Sequence, residues 1–343
     1  YTAALQLGWS PLDILDNRGN PFPFERVWYY PRSGHRNANP YPTLSWTGVD
    51  SENRSSVWLL YHLTDKLNPV DYRSLIDKVG LSQQEAEDSD TYIQRIRDEL
   101  GVISTRSNLE DVVFLAAKRD VLNSDSVVKN PQWTEIDRLQ FQSMLYGSGA
   151  KKQLAEVKDA ENKRLTATNF QQLKPLVESC TTLVEQEIEQ YLLDPEYVFS
   201  DLLWWNSDRT RVGCGDVPAE WMDQTSLVTK EDWLTWVETG LEPEIWIHGR
   251  LSHLLWMDLE QGMIKQRLLL QDVTSYQIEF IQHHPDFQQI LNMRYCNYLL
   301  NNLGVEGTLP LTLTMPLGAV EITLLDAAML YSGLLTGQRT MVD

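Results

Sequence analysis

Apolar positions recur at helical spacing over most of the chain. Val57, Leu59, Leu60, Leu63 and Leu67 follow one helical stripe after Ser55, and Val70 to Val79 repeats the pattern beyond Pro69, so two short helices are predicted there. From about Leu81 to Leu291 the patterns lengthen, over Thr91–Leu100, Leu109–Val121, Trp133–Leu145, Ala155–Arg164, Phe170–Leu193 and Ile245–Gln271. Several of these carry charged partners four residues apart, as exposed helix faces do. A last amphipathic run, Leu324 to Leu335, stops at Gly337, with Glu321 and Asp326 near its start, where the helix dipole favours them. At the other end, Tyr1 to Leu7 reads as the end of a buried helix closed at Gly8. Turn formers crowd Asn17-Arg18-Gly19-Asn20-Pro21 and the run from Pro31 to Pro42, which reads as loop with short extended pieces. The expectation is a mainly α fold, α+β overall, with few strands, in which residues 83–291 form a helical insertion between segments 1–82 and 292–343.

Composition narrows what such a fold does. The 343 residues, 42% of them apolar and 22% charged, are enough for a sizeable core and two globular units. Forty-eight acidic against 29 basic side chains give a formal charge of −19 with no basic block, which argues against a nucleic-acid partner. The weakly charged stretch Leu309 to Gly337 is broken by Pro310, Pro316, Glu321 and Asp326 and does not read as a membrane span. Cys180, Cys214 and Cys296 are odd in number, far apart and without a C-x-x-C pair, so neither a zinc site nor a disulfide framework is expected. The histidines are scattered: His248 and His253 are five apart, and His283 and His284 are adjacent and face apart, so no metal is expected. Trp204, Trp205, Trp221, Trp233, Trp236, Trp246 and Trp256 make the later part of the insertion rich in tryptophan, which suits either helix packing or stacking on sugar rings.

One short motif bears on chemistry. Ser51-Glu52-Asn53 places a hydroxyl and an amide two residues apart, and in an extended loop both side chains aim the same way while Glu52 points away. Asp50, Ser51 and Asn53 are equally suited to capping a helix that starts near Ser55. The two readings are compatible.

Three blocks in order resemble the transpeptidase domain of bifunctional, class A penicillin-binding proteins. Tyr1-Thr2-Ala3-Ala4-Leu5-Gln6-Leu7-Gly8-Trp9-Ser10-Pro11 and the following Ile14-Leu15-Asp16-Asn17 resemble the stretch after that family's nucleophile helix. Ser51 to Leu60 resembles the S-x-N motif and its helix, and Leu317 to Tyr331 resembles the family's "LG-x-x-E-V-T-x-L-E-x-A-x-x-Y" segment. The likeness covers roughly residues 1–82 and 292–337. It implies the helical side of a penicillin-binding transpeptidase fold. It implies also a serine-acylating D,D-transpeptidase of cell-wall synthesis, acting on a peptidoglycan stem peptide or glycan strand at the periplasmic face of the inner membrane. Ser51 would relay a proton and Asn53 would bind substrate. The family's S-x-x-K motif is then expected just upstream of Tyr1 and its K-T-G strand downstream of Asp343. Ser126-Val127-Val128-Lys129 and Ser148-Gly149-Ala150-Lys151 have the first pattern but follow Ser51 in the chain, the wrong order for that role. The alternative is a non-catalytic, transpeptidase-derived scaffold whose insertion binds an envelope protein or glycan.

Overall fold

A computed structural model describes residues 1–336 except 26, 33–37, 125–126, 128–132, 148–168, 218–221, 241–242, 250, 306, 308 and 319–320. The described residues are about 55% helix with small sheets, so the mainly helical expectation holds. The chain divides into two compact units, one made of residues 1–119 and 266–343, the other of 120–152 and 167–265. The seams fall beyond 82 and before 291, so residues 83–119 and 266–291 pack with the terminal segments.

In the first unit α1 (Thr2–Gln6) precedes a hairpin of β1 (Phe22–Phe24) and β2 (Val27–Tyr29), then α2 (Leu44–Asp50), α3 (Asn53–Tyr61), α4 (Pro69–Lys78) and α5 (Ser89–Gln94). A turn of π-helix continues α5, and α6 (Leu109–Leu122) follows. The return segment holds α11 (Ile278–Ile281), α12 (Pro285–Asn302) and α13 (Leu324–Thr336). Local chemistry explains several boundaries. Asn68 caps α4 ahead of Pro69, Asp88 caps α5, and Thr323 forms a reciprocal pair with Asp326 at the start of α13.

The core of this unit forms where α12 lies against α3. Asn292, fully buried, donates through Nδ2 to the carbonyls of Leu60 at 2.8 Å and Tyr61 at 3.2 Å, and its Oδ1 accepts from Thr64 Oγ1 at 3.0 Å. Gln289 Nε2 adds a bond to the Tyr61 carbonyl at 3.1 Å. These amides meet the last carbonyls of α3, which no intrahelical N–H can reach. Trp58 packs beside them, edge-on to Trp9 at 5.8 Å and against the His62 ring at 4.4 Å. The hairpin joins the same core: the Glu25 N–H, at a turn residue with φ 49°, donates to Asp286 of α12 at 3.0 Å.

The second unit contains α7 (Glu135–Gln142), α8 (Phe170–Leu193), β3 (Leu203–Trp205), β4 (Val212–Cys214), β5 (Ser226–Leu227), α9 (Lys230–Thr239), β6 (Ile245–Ile247) and β7 (Leu251–Ser252), and α10 (His253–Leu270) begins in it. The strands form one sheet in the order β5-β3-β4-β6-β7, antiparallel except for the β4–β6 pair. Here the structure corrects the sequence reading twice. Ile245–Ser252, expected as the start of a long helix, is a strand, a turn through His248 at φ 50°, and a second strand. Three apolar residues in a row fit a buried strand as well as a helix, and only the sheet partners decide. Second, Cys180 on α8 and Cys214 on β4 form a disulfide, where none was expected. Cys296 is the free thiol, its pKa pushed up to about 11 by burial.

Tryptophans fill this unit. Trp204, Trp233, Trp246 and Trp256 are buried. Phe199 stacks on Trp233 at 4.8 Å, Phe170 stacks on Trp256 at 4.9 Å, and the Arg211 guanidinium lies 3.7 Å above Trp246 while binding Asp137 through two bonds of 2.9 and 2.7 Å. Trp204 faces Gly213 across the sheet, with no room for a Cβ beneath its indole. These four tryptophans are core rather than a glycan surface. Trp205 and Trp236 are half-buried, and Trp221 lies outside the described residues.

Candidate functional site

The Ser51-Glu52-Asn53 tripeptide forms the corner between α2 and α3. Thr43 starts α2 by accepting the Trp46 N–H, and the helix ends at Ser51, whose backbone is left-handed (φ 52°, ψ 46°). That conformation strains a residue with a Cβ. The Ser51 and Glu52 N–H groups both turn back to the Thr47 carbonyl, and the Ser51 side chain is exposed. Glu52 returns to extended backbone and is buried at 1% exposure. Asn53 then opens α3, half-buried, with Nδ2 donating to the Arg32 carbonyl at 3.4 Å.

The expected geometry is therefore revised. The tripeptide is a helix-to-helix corner, not an extended loop, and Glu52 turns inward while Ser51 faces solvent. Nor do Asp50, Ser51 or Asn53 cap the next helix, which starts at Asn53 rather than near Ser55, with Glu52 at the cap position making no side-chain capping bond. The bond that serves α3 comes from the loop of residues 16–20. Asn17 Oδ1 accepts the Ser55 N–H at 3.1 Å. The turn formers of that loop are visible in the sequence, but this contact spans 38 residues and no local pattern announces it.

A buried polar strap holds Asn17 in place. Its Nδ2 donates to the Asn39 carbonyl at 2.9 Å and its N–H to the Pro40 carbonyl at 3.0 Å. Beside it, buried Asp16 binds Arg18 Nε at 3.0 Å and Asn20 Nδ2 at 2.7 Å. Gly19 is in the left-handed region at φ 90°, and a Cβ there would stand 3.0 Å from Arg54 Nε. Thr47 Oγ1 donates to Ser55 Oγ at 3.0 Å, tying the two helices together behind the corner.

Titratable groups cluster on the same unit. His62 Nδ1 meets Asp65 at 2.7 Å. Burial works against the Asp65 carboxylate, but His62, Arg119 and Lys118 together hold its pKa below the usual range, while burial lowers Lys118 to about 8. The H-x-x-D spacing of His62 and Asp65 was a usable sequence signal for this pair. His284 caps α12 through Nδ1, accepting the Asp286 N–H at 3.3 Å, and burial lowers its pKa to about 4. His283 is lowered to about 3, by burial first and then by Arg119. In the second unit His253 Nδ1 accepts the Ile245 N–H and His248 Nδ1 the Asp216 N–H. Among the described residues no three His, Cys, Asp or Glu side chains are placed to hold a metal. His35 and both S-x-x-K strings, apart from Val127, lie outside the described residues.

A cavity of about 520 Å³ in the second unit runs along the disulfide, lined by Leu176, Leu183, Trp204 and Leu227, with Asp201 as its charged lining residue. No histidine or lysine lines it among the described residues, so no proton-transfer pair is assembled there. The phenylalanines of Phe22-Pro23-Phe24 pack in the hairpin, where Phe22 contacts the Tyr61 ring at 4.8 Å and the Tyr61 hydroxyl donates to the Pro23 carbonyl at 3.2 Å. Trp28 and Tyr29, on β2, are half-buried and Tyr30 is exposed.

Set against known protein families, characterised proteins and solved structures, the chain returns no match. No helix among the described residues is long and apolar enough to cross a membrane.

Proposed function

We propose that the chain carries the S-x-N side of a peptidoglycan D,D-transpeptidase, a serine-acylating enzyme that cross-links D-Ala-D-Ala stem peptides and is a target of β-lactams. The observation that carries the reading is the corner itself: Ser51 is exposed at the junction of two helices, its backbone pinned to Thr47, two residues before Asn53 opens the next helix. A hydroxyl on a backbone fixed in this way suits proton relay, because it donates and accepts without changing charge.

In the proposed reaction the nucleophilic serine of an S-x-x-K motif attacks the carbonyl of the penultimate D-Ala. The terminal D-Ala leaves as an amine, and a second stem peptide's amine then takes the acyl group from the serine ester. Ser51 passes the proton to the leaving amine, and Asn53 offers its amide to the substrate. The serine, its lysine and the K-T-G strand are supplied from outside residues 1–343 in this reading. Acyl transfer of this kind needs no cofactor. The Cys180–Cys214 disulfide supports an oxidising compartment such as the periplasm.

The test is covalent labelling of the complete protein by a fluorescent penicillin. A label that survives denaturation and is blocked by unlabelled β-lactam is the expected result. A folded protein that takes no label contradicts the reading and favours a transpeptidase-derived scaffold.

A further inference from the structure

We infer that Asn17 is the positioning residue of the Ser51–Asn53 corner, because it provides from a remote loop the N-terminal cap that α3 lacks. The catalytic part of this inference rests on the proposed function. The structural part stands on geometry alone.

The first-turn N–H groups of a helix have no intrahelical acceptor, and the residue before the helix ordinarily supplies one to the second or third of them. Glu52 occupies that place in α3 and makes no such bond. Asn17 Oδ1 bonds instead to the N–H of Ser55, the third residue of the helix, at 3.1 Å. Both ends of the Asn17 amide are engaged, one by Ser55 and the other by the Asn39 carbonyl, so the group has a single orientation. It is 1% exposed, and water cannot substitute for it without opening the strap.

The far end of α3 is held by Gln289 and Asn292 through the Leu60 and Tyr61 carbonyls. Asn17 therefore secures the end that carries Asn53, and Thr47 carries the constraint across to α2 and Ser51. Without the Asn17 acceptor the first turn of α3 frays. The corner then loses its fixed distance from the strap, and relay through Ser51 suffers because proton transfer demands close placement.

The experiment compares Asn17→Ala, Asn17→Asp and Thr229→Ala in the complete protein, with Ser51→Ala as reference. Hydrogen exchange at the Ser55 amide and the rate and binding constants of penicillin acylation are measured at equal folded fraction. Asn17→Ala is expected to lose about tenfold protection at Ser55 and at least about tenfold in acylation rate, with a smaller loss in the binding constant through Asn53. Asn17→Asp keeps an acceptor toward Ser55 but sets its second oxygen against the Asn39 carbonyl, so it is expected to restore both only in part. Thr229→Ala removes a cap of the same kind from α9, where Thr229 accepts the Asp232 N–H, and is expected to lower thermal stability alone.

If Asn17→Ala acylates at the wild-type rate while Ser51→Ala is slow, the positioning role is overturned and the functional reading survives. If the unmutated protein takes no label, the functional reading fails and Ser55 exchange decides the capping role by itself. Unchanged protection in Asn17→Ala would overturn that role as well. Should Asn17→Ala not fold, Asn17→Asp decides: an acylation rate as slow as that of Ser51→Ala with Ser55 still protected refutes the inference.

Discussion

The two units reach stability by different means. In the first, α3 is gripped at both ends by side-chain amides distant in sequence, Asn17 at one end and Gln289 with Asn292 at the other. In the second, a short-stranded sheet is tied to α8 by a disulfide and packed by tryptophans. Polar capping from a distance gives a site a fixed address but depends on buried groups staying neutral and paired. A covalent tie tolerates acid and yields to reductant. Each unit should therefore have its own weakness.

Reduction tests the second unit, with the largest expected effect. Opening the Cys180–Cys214 link frees a 34-residue separation, which in the chain-entropy account costs about 3–4 kcal/mol. In urea with dithiothreitol the unfolding transition reported by the tryptophans of residues 167–265 should move to lower denaturant, while that of the first unit stays. A reductant shift of the first unit would break the contrast.

Acid tests the first unit. The folded pKa of His284 lies at about 4, below its ordinary value, because burial opposes the charge. The unfolded chain therefore binds this proton first. The stability conferred by the neutral ring is full above the ordinary histidine pKa, about 6.5, and is lost as pH falls toward 4, on the order of 3 kcal/mol in all. His283 acts in the same direction. Urea midpoints for this unit should fall between pH 7 and 5, and His284→Asn, which keeps a capping side chain without a titrating ring, should flatten part of that slope. An unchanged slope would show that His284 is not the acid-labile cap.

Next comes Asn292→Ala, which strands the Thr64 hydroxyl in the interior and leaves the Leu60 carbonyl only the 3.4 Å bond from the Leu63 N–H, and is expected to cost about 2 kcal/mol in denaturant unfolding of the first unit. A loss under about 0.5 kcal/mol would mean that the grip on α3 is replaceable. The smallest effect concerns the corner. Ser51→Gly relieves a left-handed backbone at φ 52° and should stabilise the first unit by up to about 1 kcal/mol.

Much of the helical architecture was legible in the chain. The run Phe170–Leu193 coincides with α8, Leu109–Val121 with α6 to within a residue, and Leu324–Leu335 with α13. Long amphipathic stripes and capping residues are local, and local signals survive folding. What escaped was tertiary. Strands of two or three residues carry too little alternation to reveal themselves, and Cys180 and Cys214 meet because α8 packs against the sheet, not because of any spacing. At the candidate site the residues Ser51 and Asn53 were visible. The inward turn of Glu52 and the capping by Asn17 were not, since both depend on where the 16–20 strap folds back.

The central claim is that Ser51 relays a proton in acyl transfer, and the glycine variant tests it most directly because it separates chemistry from stability. The acylation rate of Ser51→Gly by fluorescent penicillin should fall at least about 100-fold in a protein that unfolds no more easily than the original. A Ser51→Gly protein that is acylated at the original rate would contradict the account.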